Sequence, residues 1–274
     1  MNRLTPEIVK SAASEIQSGI RYLTPALPIS PTNTPSIGLD WPLDAQSDLP
    51  FFGRHAFHKE IIHKQPRIVN DDVWTFNTQS SSQWDGLRHF AYQKAERFYN
   101  NVTLDDIHGP NKTNVNGVGK WAEQGIVGRG VLLDYHAWRN AHGKGVGKEH
   151  AFQIGSITVG ELKEVAKWQG TKIRFGDIMF IRSGYMASHN QTSRDELEVL
   201  RKKMPPNFFG VEQSEEFLQW VWENFSAVAG DQPSFECWRE YRKSPIQDEG
   251  ANLLKLRKRS GLITRFFSVV GACL

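Results

Sequence analysis

Four residues between Asn77 and Phe98 are of types that could share one ion or one proton: Gln79, Gln83, Asp85 and His89. Asp85 and His89 stand four apart, and on a helix such side chains lie on one face, so a carboxylate and an imidazole would converge. A carboxylate holds a cation or orients an imidazole, and an imidazole takes and returns a proton near neutral pH. The neighbouring Ser81 and Ser82 are candidate substrate hydrogen-bond partners, and Trp84, Phe90 and Tyr92 are candidates for an aromatic wall. The plainer alternative is an acid and a histidine at the exposed start of a helix.

The segments around this stretch predict its support. Thr5 and Pro6 open a helix over 5–19, with Ile8, Val9, Ala12 and Ile16 at helical spacing. Residues 24–50 are rich in Pro, Ser and Thr and read as a surface wrap anchored by Trp41 and Leu43. Two alternating runs, 59–64 and 68–77, predict strands, the second leading into the candidate site. Helices follow over 85–97 and 116–124, and the apolar run 126–134 predicts a buried strand. Thr158 and Glu161 form a capping box for a helix over 159–169 that Gly170 ends. A strand, a Gly-Asp turn and a buried strand are expected over 172–183, an amphipathic helix over 214–225 and a short buried strand over 227–231. Alternating helices and apolar strands predict one mixed α/β domain over 1–274.

Composition narrows the function classes. The chain has 274 residues, is 39% hydrophobic and 23% charged, and carries a formal net charge of +3 with acids and bases interspersed. That argues against nucleic acid as a partner. Cys237 and Cys273 are the two cysteines, too few for a disulfide framework or a cysteine zinc knuckle. No apolar run is long enough for a bilayer, and the first residues lack a signal-peptide core, so a cytoplasmic protein without membrane contact is expected. From Arg239 onward the chain is basic, with apolar residues at mixed spacing. It could form a helix and a terminal strand packed on its own domain, or a segment that binds a membrane surface or a partner.

Four ordered segments resemble the cyclase family of metal-dependent hydrolases, which includes bacterial-type kynurenine formamidase and isatin hydrolase. The residues from Gln79 to His89 lie without a gap on the family signature His-x-Gly-Thr-His-x-Asp-x-Pro-x-His. Gly125–Asp134 is similar to its central strand, Ile157–Tyr185 to the helix, turn and strand that follow, and Ala227–Glu236 to its Asp-x-Pro-Ser segment. The resemblance covers about residues 35–237 and leaves 238–274 as an atypical basic tail; the form QWDGLRH is one associated with fungal members. It implies a mixed sheet of barrel-like character with flanking helices, of the swivelling β/β/α type. It also implies a bound divalent metal, zinc or manganese, a small-molecule substrate and a homodimer.

By the same resemblance Asp85 is a metal ligand, and His89 is the proton acceptor or a side group of the ligand set. Gln79 and Gln83 stand where the family has histidine ligands, and an amide is a poorer ligand for zinc than imidazole, which shifts the expectation towards manganese or magnesium. Arg182 and Tyr185 are expected to face the pocket. No His follows His189 to complete the site, leaving Glu236, Asp248 and Glu249 as the later carboxylates. The implied activity is hydrolysis of a C–N bond in a linear or cyclic amide, most specifically N-formylkynurenine to kynurenine and formate in tryptophan breakdown. A cyclase, lactonase or dehydratase of fungal secondary metabolism is the variant, and a metal-free binding protein that kept the fold is the reading from another class. His55, His58, His63, His142 and His150 are expected to face solvent. The glycines of 143–147 lack the Lys-Ser/Thr of a phosphate loop.

Overall fold

The computed structural model describes residues 5–13, 38–48, 50–143, 150–203, 206–237 and 268–270. Helix α1 (Pro6–Ala13) follows Thr5, whose hydroxyl accepts from the Ile8 N–H at 3.4 Å. The remainder of the predicted helix to residue 19 lies outside the described residues, as do most of the wrap and most of the basic tail. Strands β1 (His58–His63) and β2 (Asn70–Thr75) pair antiparallel from His58 opposite Thr75 to His63 opposite Asn70. Their alternation suggests a buried face, yet every position of both strands is exposed and no third strand joins the ribbon among the described residues. Here the alternation reports strand geometry without burial.

Next come β3 (Gln83–Trp84), α2 (Leu104–His108), α3 (Gly119–Gln124), β4 (Gly130–Leu133) and α4 (Tyr135–Ala141). The second half holds β5 (Ser156–Ile157), α5 (Val159–Gln169), β6 (Asp177–Ile181), α6 (Tyr185–Gln191) and α7 (Arg194–Lys202). It continues through β7 (Gly210–Val211), α8 (Glu215–Asn224), β8 (Phe225–Gly230) and β9 (Ser268–Val270). The main sheet runs β3-β9-β8-β6-β4, with parallel pairs from β4 to β9 and β3 antiparallel to β9; β5 and β7 form a separate parallel pair. Thus the terminal strand expected in the tail exists and links the short strand of the candidate site to the central β8.

The fold is mixed α/β, and the barrel-like character does not extend to a closed barrel: among the described residues the main sheet is open, with β3 and β4 as its two edges. Closing a barrel needs strands that tilt and stagger far enough to pair across the seam, and two-residue β3 cannot supply that.

Burial explains the central strands. In β6 and β8 nearly every position is buried, as in a parallel sheet covered on both faces. β4 lies at the edge, so Val131 and Leu133 are buried while Gly130 and Leu132 are exposed; the predicted continuous buried strand is shorter and one-sided. Helix α5 begins as its sequence requires, with Thr158 Oγ1 accepting from the Glu161 N–H at 3.2 Å and Glu161 Oε2 accepting from the Thr158 N–H at 3.0 Å. Its buried Val159, Leu162, Val165 and Ala166 form one stripe, and Gly170 ends it at φ +68°, a left-handed cap that suits glycine. Helix α8 adds Phe217 and Val221 to the same core. A second cluster gathers Phe51, Phe152, Tyr185, Met186, Leu197 and Phe208, with Trp41 and Phe52 packed against it.

The predicted helix over 85–97 is also corrected. Pairing of Gln83 and Trp84 with β9 draws the chain into an extended path, and Gly86 opens a turn that the His89 N–H closes onto the Gly86 carbonyl at 2.9 Å. Arg88 then donates to the Thr113 and Val115 carbonyls at 2.6 Å each, and Tyr92 bridges Arg97. Tertiary hydrogen bonds outweigh a modest helical propensity interrupted by glycine.

Two substitutions separate core from ribbon. Leu133→Ala should lower the unfolding free energy by about 2–5 kcal/mol, and Val73→Ala by less than about 0.5 kcal/mol. Urea melts of both variants check this; equal losses would place the ribbon in the core.

Candidate functional site

The site forms where four segments of the chain meet. Beyond β6, the chain turns through Ser183 and Gly184 into α6, and beyond β8 it reaches Asp231. Asp231 is buried and accepts from the Ser183 N–H and Oγ at 2.7 Å each, the Met186 N–H at 3.2 Å and the Gly184 N–H at 3.3 Å. Burial pushes its carboxyl up, and these donors oppose that shift without cancelling it. Gly184 stands at φ +100°, and a Cβ there would come within 2.5 Å of His136 Nδ1, so the turn requires glycine.

Residues 41–54 close over this turn. The Trp41 N–H donates to Ser82 Oγ at 2.7 Å, Ser81 Oγ donates to the Trp41 carbonyl at 2.5 Å, and Gln46 Nε2 donates to the Ser80 carbonyl at 2.6 Å. Together they bring Arg54 to Gln79, and the Arg54 guanidinium donates to the Gln79 backbone carbonyl. A pocket of about 20 Å³, room for about one water, lies between Trp41, Arg54, Gln79, Ser81, Tyr185 and Asp231.

Asp85 and His89 do meet, though through a turn: His89 Nε2 stands 3.8 Å from Asp85 Oδ1. Gln79 joins them, its Nε2 lying 2.9 Å from Asp85 Oδ1 and 3.4 Å from His89 Nδ1. Gln79 and Gln83 form a reciprocal amide pair, with Gln79 Nε2 donating to Gln83 Oε1 at 2.6 Å and Gln83 Nε2 donating to Gln79 Oε1 at 3.0 Å. On the far side, an Arg54 guanidinium nitrogen is 3.5 Å from Gln79 Oε1. Burial lowers the Arg54 pKa, and Asp85 opposes that shift. Gln79 Nε2 has two hydrogens for three acceptors, and His89 Nδ1 is the farthest; in the tautomer that keeps the proton on Nε2, beside Asp85, the Nδ1 lone pair is the least engaged.

The other candidates have more varied placements. Tyr185 lines the pocket, and burial, the largest effect, raises its pKa. Ser81 also lines it, but its hydroxyl is engaged with the Trp41 carbonyl, as that of Ser82 is with the Trp41 amide. Arg182 pairs with Asp134 at 3.1 Å, an ion pair linking the ends of β6 and β4, and does not line the pocket. Trp84 and Phe90 are exposed, while Tyr92 is half-buried in its bridge to Arg97. Exposed Glu236 pairs through its backbone with Val211; Asp248 and Glu249 lie outside the described residues. His55, His58, His63 and His142 are exposed, and the side chain of His150 lies outside the description. Sequence reasoning missed Arg54 and Asp231, and took Trp41 as an anchor of the wrap without a place in the site. Asp231 had a local signal, in the Asp-x-Pro-Ser segment.

Among the described residues, the donors do not fit the divalent metal that the resemblance implies. Asp85 is the one carboxylate in the cluster's hydrogen-bond network, and no group of three or more His, Cys, Asp or Glu side chains converges among the described residues. Gln79 presents an N–H donor, not an oxygen, to Asp85 and His89. Both amide oxygens already accept hydrogen bonds, and turning the pair over would set Gln79 oxygen against Asp85 and Gln79 nitrogen against Arg54. Without an ion, the charges at both ends favour the amide orientation that turns its nitrogen to Asp85.

A mostly parallel sheet, open among the described residues, with its candidate site beyond the ends of β6 and β8 defines an α/β protein. The chain belongs to the cyclase family: the family model described as "Putative cyclase" matches residues 23–237. A solved structure described as a novel cyclase is 22% identical with a TM-score of 0.72, covering 99% of this chain and 81% of that one. Isatin hydrolase A from Ralstonia solanacearum is 12% identical with a TM-score of 0.54, over 86% of this chain and 78% of that one. Isatin hydrolase A from Labrenzia aggregata, bound to benzyl benzoate, is 12% identical with a TM-score of 0.53, over 87% and 80%. These likenesses show a shared fold. No curated protein matches the chain, and no helix among the described residues is long and apolar enough to cross a membrane.

Two imidazoles near the site predict a pH response. Burial, then Arg201, lowers the pKa of His189 beside Trp41 and Tyr185; burial, then Arg182, lowers that of His136. Both favour the neutral ring in the folded state, so their stability contribution is present above the ordinary value of 6.5 and lost as pH falls below it towards the folded pKa. The urea midpoint should therefore fall on acidification through this window, and His189→Phe should flatten that slope. An unchanged slope in the variant would remove His189 as a cause.

Proposed function

We propose that the chain is a hydrolase acting on the C–N bond of a linear or cyclic amide, most specifically an N-formyl aromatic amine such as N-formylkynurenine in tryptophan breakdown. The observation that carries the reading is the convergence of Asp85 and His89 on one amide beside the pocket, with the His89 Nδ1 lone pair least engaged. His89 Nδ1 takes a proton from water as the water oxygen bonds to the carbonyl carbon. Asp85, beside His89 Nε2, steadies the imidazolium that forms. The tetrahedral intermediate then expels the amine as the C–N bond breaks, and His89 returns its proton to the leaving nitrogen, giving a carboxylic acid and an amine. Tyr185 lines the adjoining pocket, and the exposed Trp84 offers an aromatic surface to an aryl substrate. A cyclase, lactonase or dehydratase of fungal secondary metabolism would use the same acid–base pair.

The closed amide pair and the engaged hydroxyls of Ser81 and Ser82 favour a second reading, a binding protein that kept the fold. Formate release from N-formylkynurenine separates the two. Wild type should turn over, and Asp85→Ala and His89→Ala should each lose about 10²–10⁴-fold while circular dichroism melts stay close to wild type. Wild-type rates in both variants would remove this site. A small organic substrate and assembly as a homodimer complete the proposal, and a monomer mass by light scattering would withdraw the dimer.

A further inference from the structure

We infer that this site works without a divalent ion and that the Arg54 guanidinium supplies the positive charge in its place. The role of Arg54 rests on the hydrolase reading above; the ion-free state rests on the donor set alone.

The side-chain amide of Gln79 is polar in a fixed direction. Its nitrogen end meets Asp85 Oδ1 at 2.9 Å, and its oxygen end faces the Arg54 guanidinium at 3.5 Å. Gln83 locks the same plane from the side by its two reciprocal hydrogen bonds. A cation between Asp85 and the amides would need oxygen where nitrogen now stands, and it would lie close to a guanidinium already present. Arg is the side chain suited to this substitution: always charged, planar, and able to donate several hydrogen bonds at once.

Arg54 is also held for the task. It stacks over the Phe52 ring at 4.6 Å, donates to the Gln79 backbone carbonyl, and lines the pocket with Ser81, Tyr185 and Asp231. In the hydrolysis proposed above, negative charge develops on the carbonyl oxygen as water attacks. Arg54 lines that pocket, so its guanidinium charge stands close enough to stabilise the oxygen, and no other reactant is required.

Two measurements on the full chain test this. Calorimetric titration of metal-free wild type with ZnCl₂ and with MnCl₂ should show no saturable binding, and EDTA should leave formate release unchanged. Uptake of one ion per chain that Asp85→Asn abolishes would overturn the inference. Arg54→Met should lower kcat about 10²–10³-fold with little change in KM, and Arg54→Lys should recover part of that loss. Full kcat in a folded Arg54→Met variant would overturn the role of Arg54. If wild type releases no formate, the hydrolase reading and the Arg54 role fall together, while the metal titration still decides the ion-free state.

Discussion

One side-chain amide, that of Gln79, ties the site together. Its two ends differ in polarity, and the chain sets opposite charges against them, Asp85 at the nitrogen and Arg54 at the oxygen. His89 reaches the same nitrogen, and Gln83 pairs with the amide in its plane. Four residues from the loop between Gln79 and His89 and one from the segment before β1 therefore share a single hydrogen-bonded array. Inverting Gln79 would set its oxygen against Asp85 and its nitrogen against Arg54, so these two charges favour the orientation described.

That array depends on a scaffold that is stable for other reasons. Parallel strands β4, β6 and β8 bury their side chains against α5 and α8, and their ends present the turn that Asp231 fastens. The second aromatic cluster, around Phe51, Phe152 and Phe208, supports the segment that carries Arg54. The ribbon β1–β2 contributes to neither cluster, although it connects that segment to the site loop.

Membership of the cyclase family and departure from its signature are compatible in physical terms. The backbone path that presents the site is set by the sheet, by Asp231 and by the Ser81 and Ser82 contacts to Trp41. None of these requires imidazole at position 79 or 83. Amides at 79 and 83 leave that scaffold intact.

Local chemistry along the sequence was enough for some elements. Thr158, Glu161 and Gly170 bound α5 correctly, because caps and left-handed glycines act within a few residues. The structure shows the same kind of capping box at α7, from Ser193 and Glu196. The apolar runs that became β6 and β8 were legible for a similar reason: a strand buried on both faces is apolar throughout. Gln79, Gln83, Asp85 and His89 were recognisable as a group by type and spacing. Tertiary structure decided the rest. Pairing of β3 with β9, a contact across most of the chain, replaced the expected helix after Asp85 by a turn. The place of Arg54 depended on folding over 41–54, and the orientation of the Gln79 amide depended on charges brought from two directions. Such long-range electrostatic and hydrogen-bond contacts leave no periodic trace in the sequence, so only the folded chain reveals them.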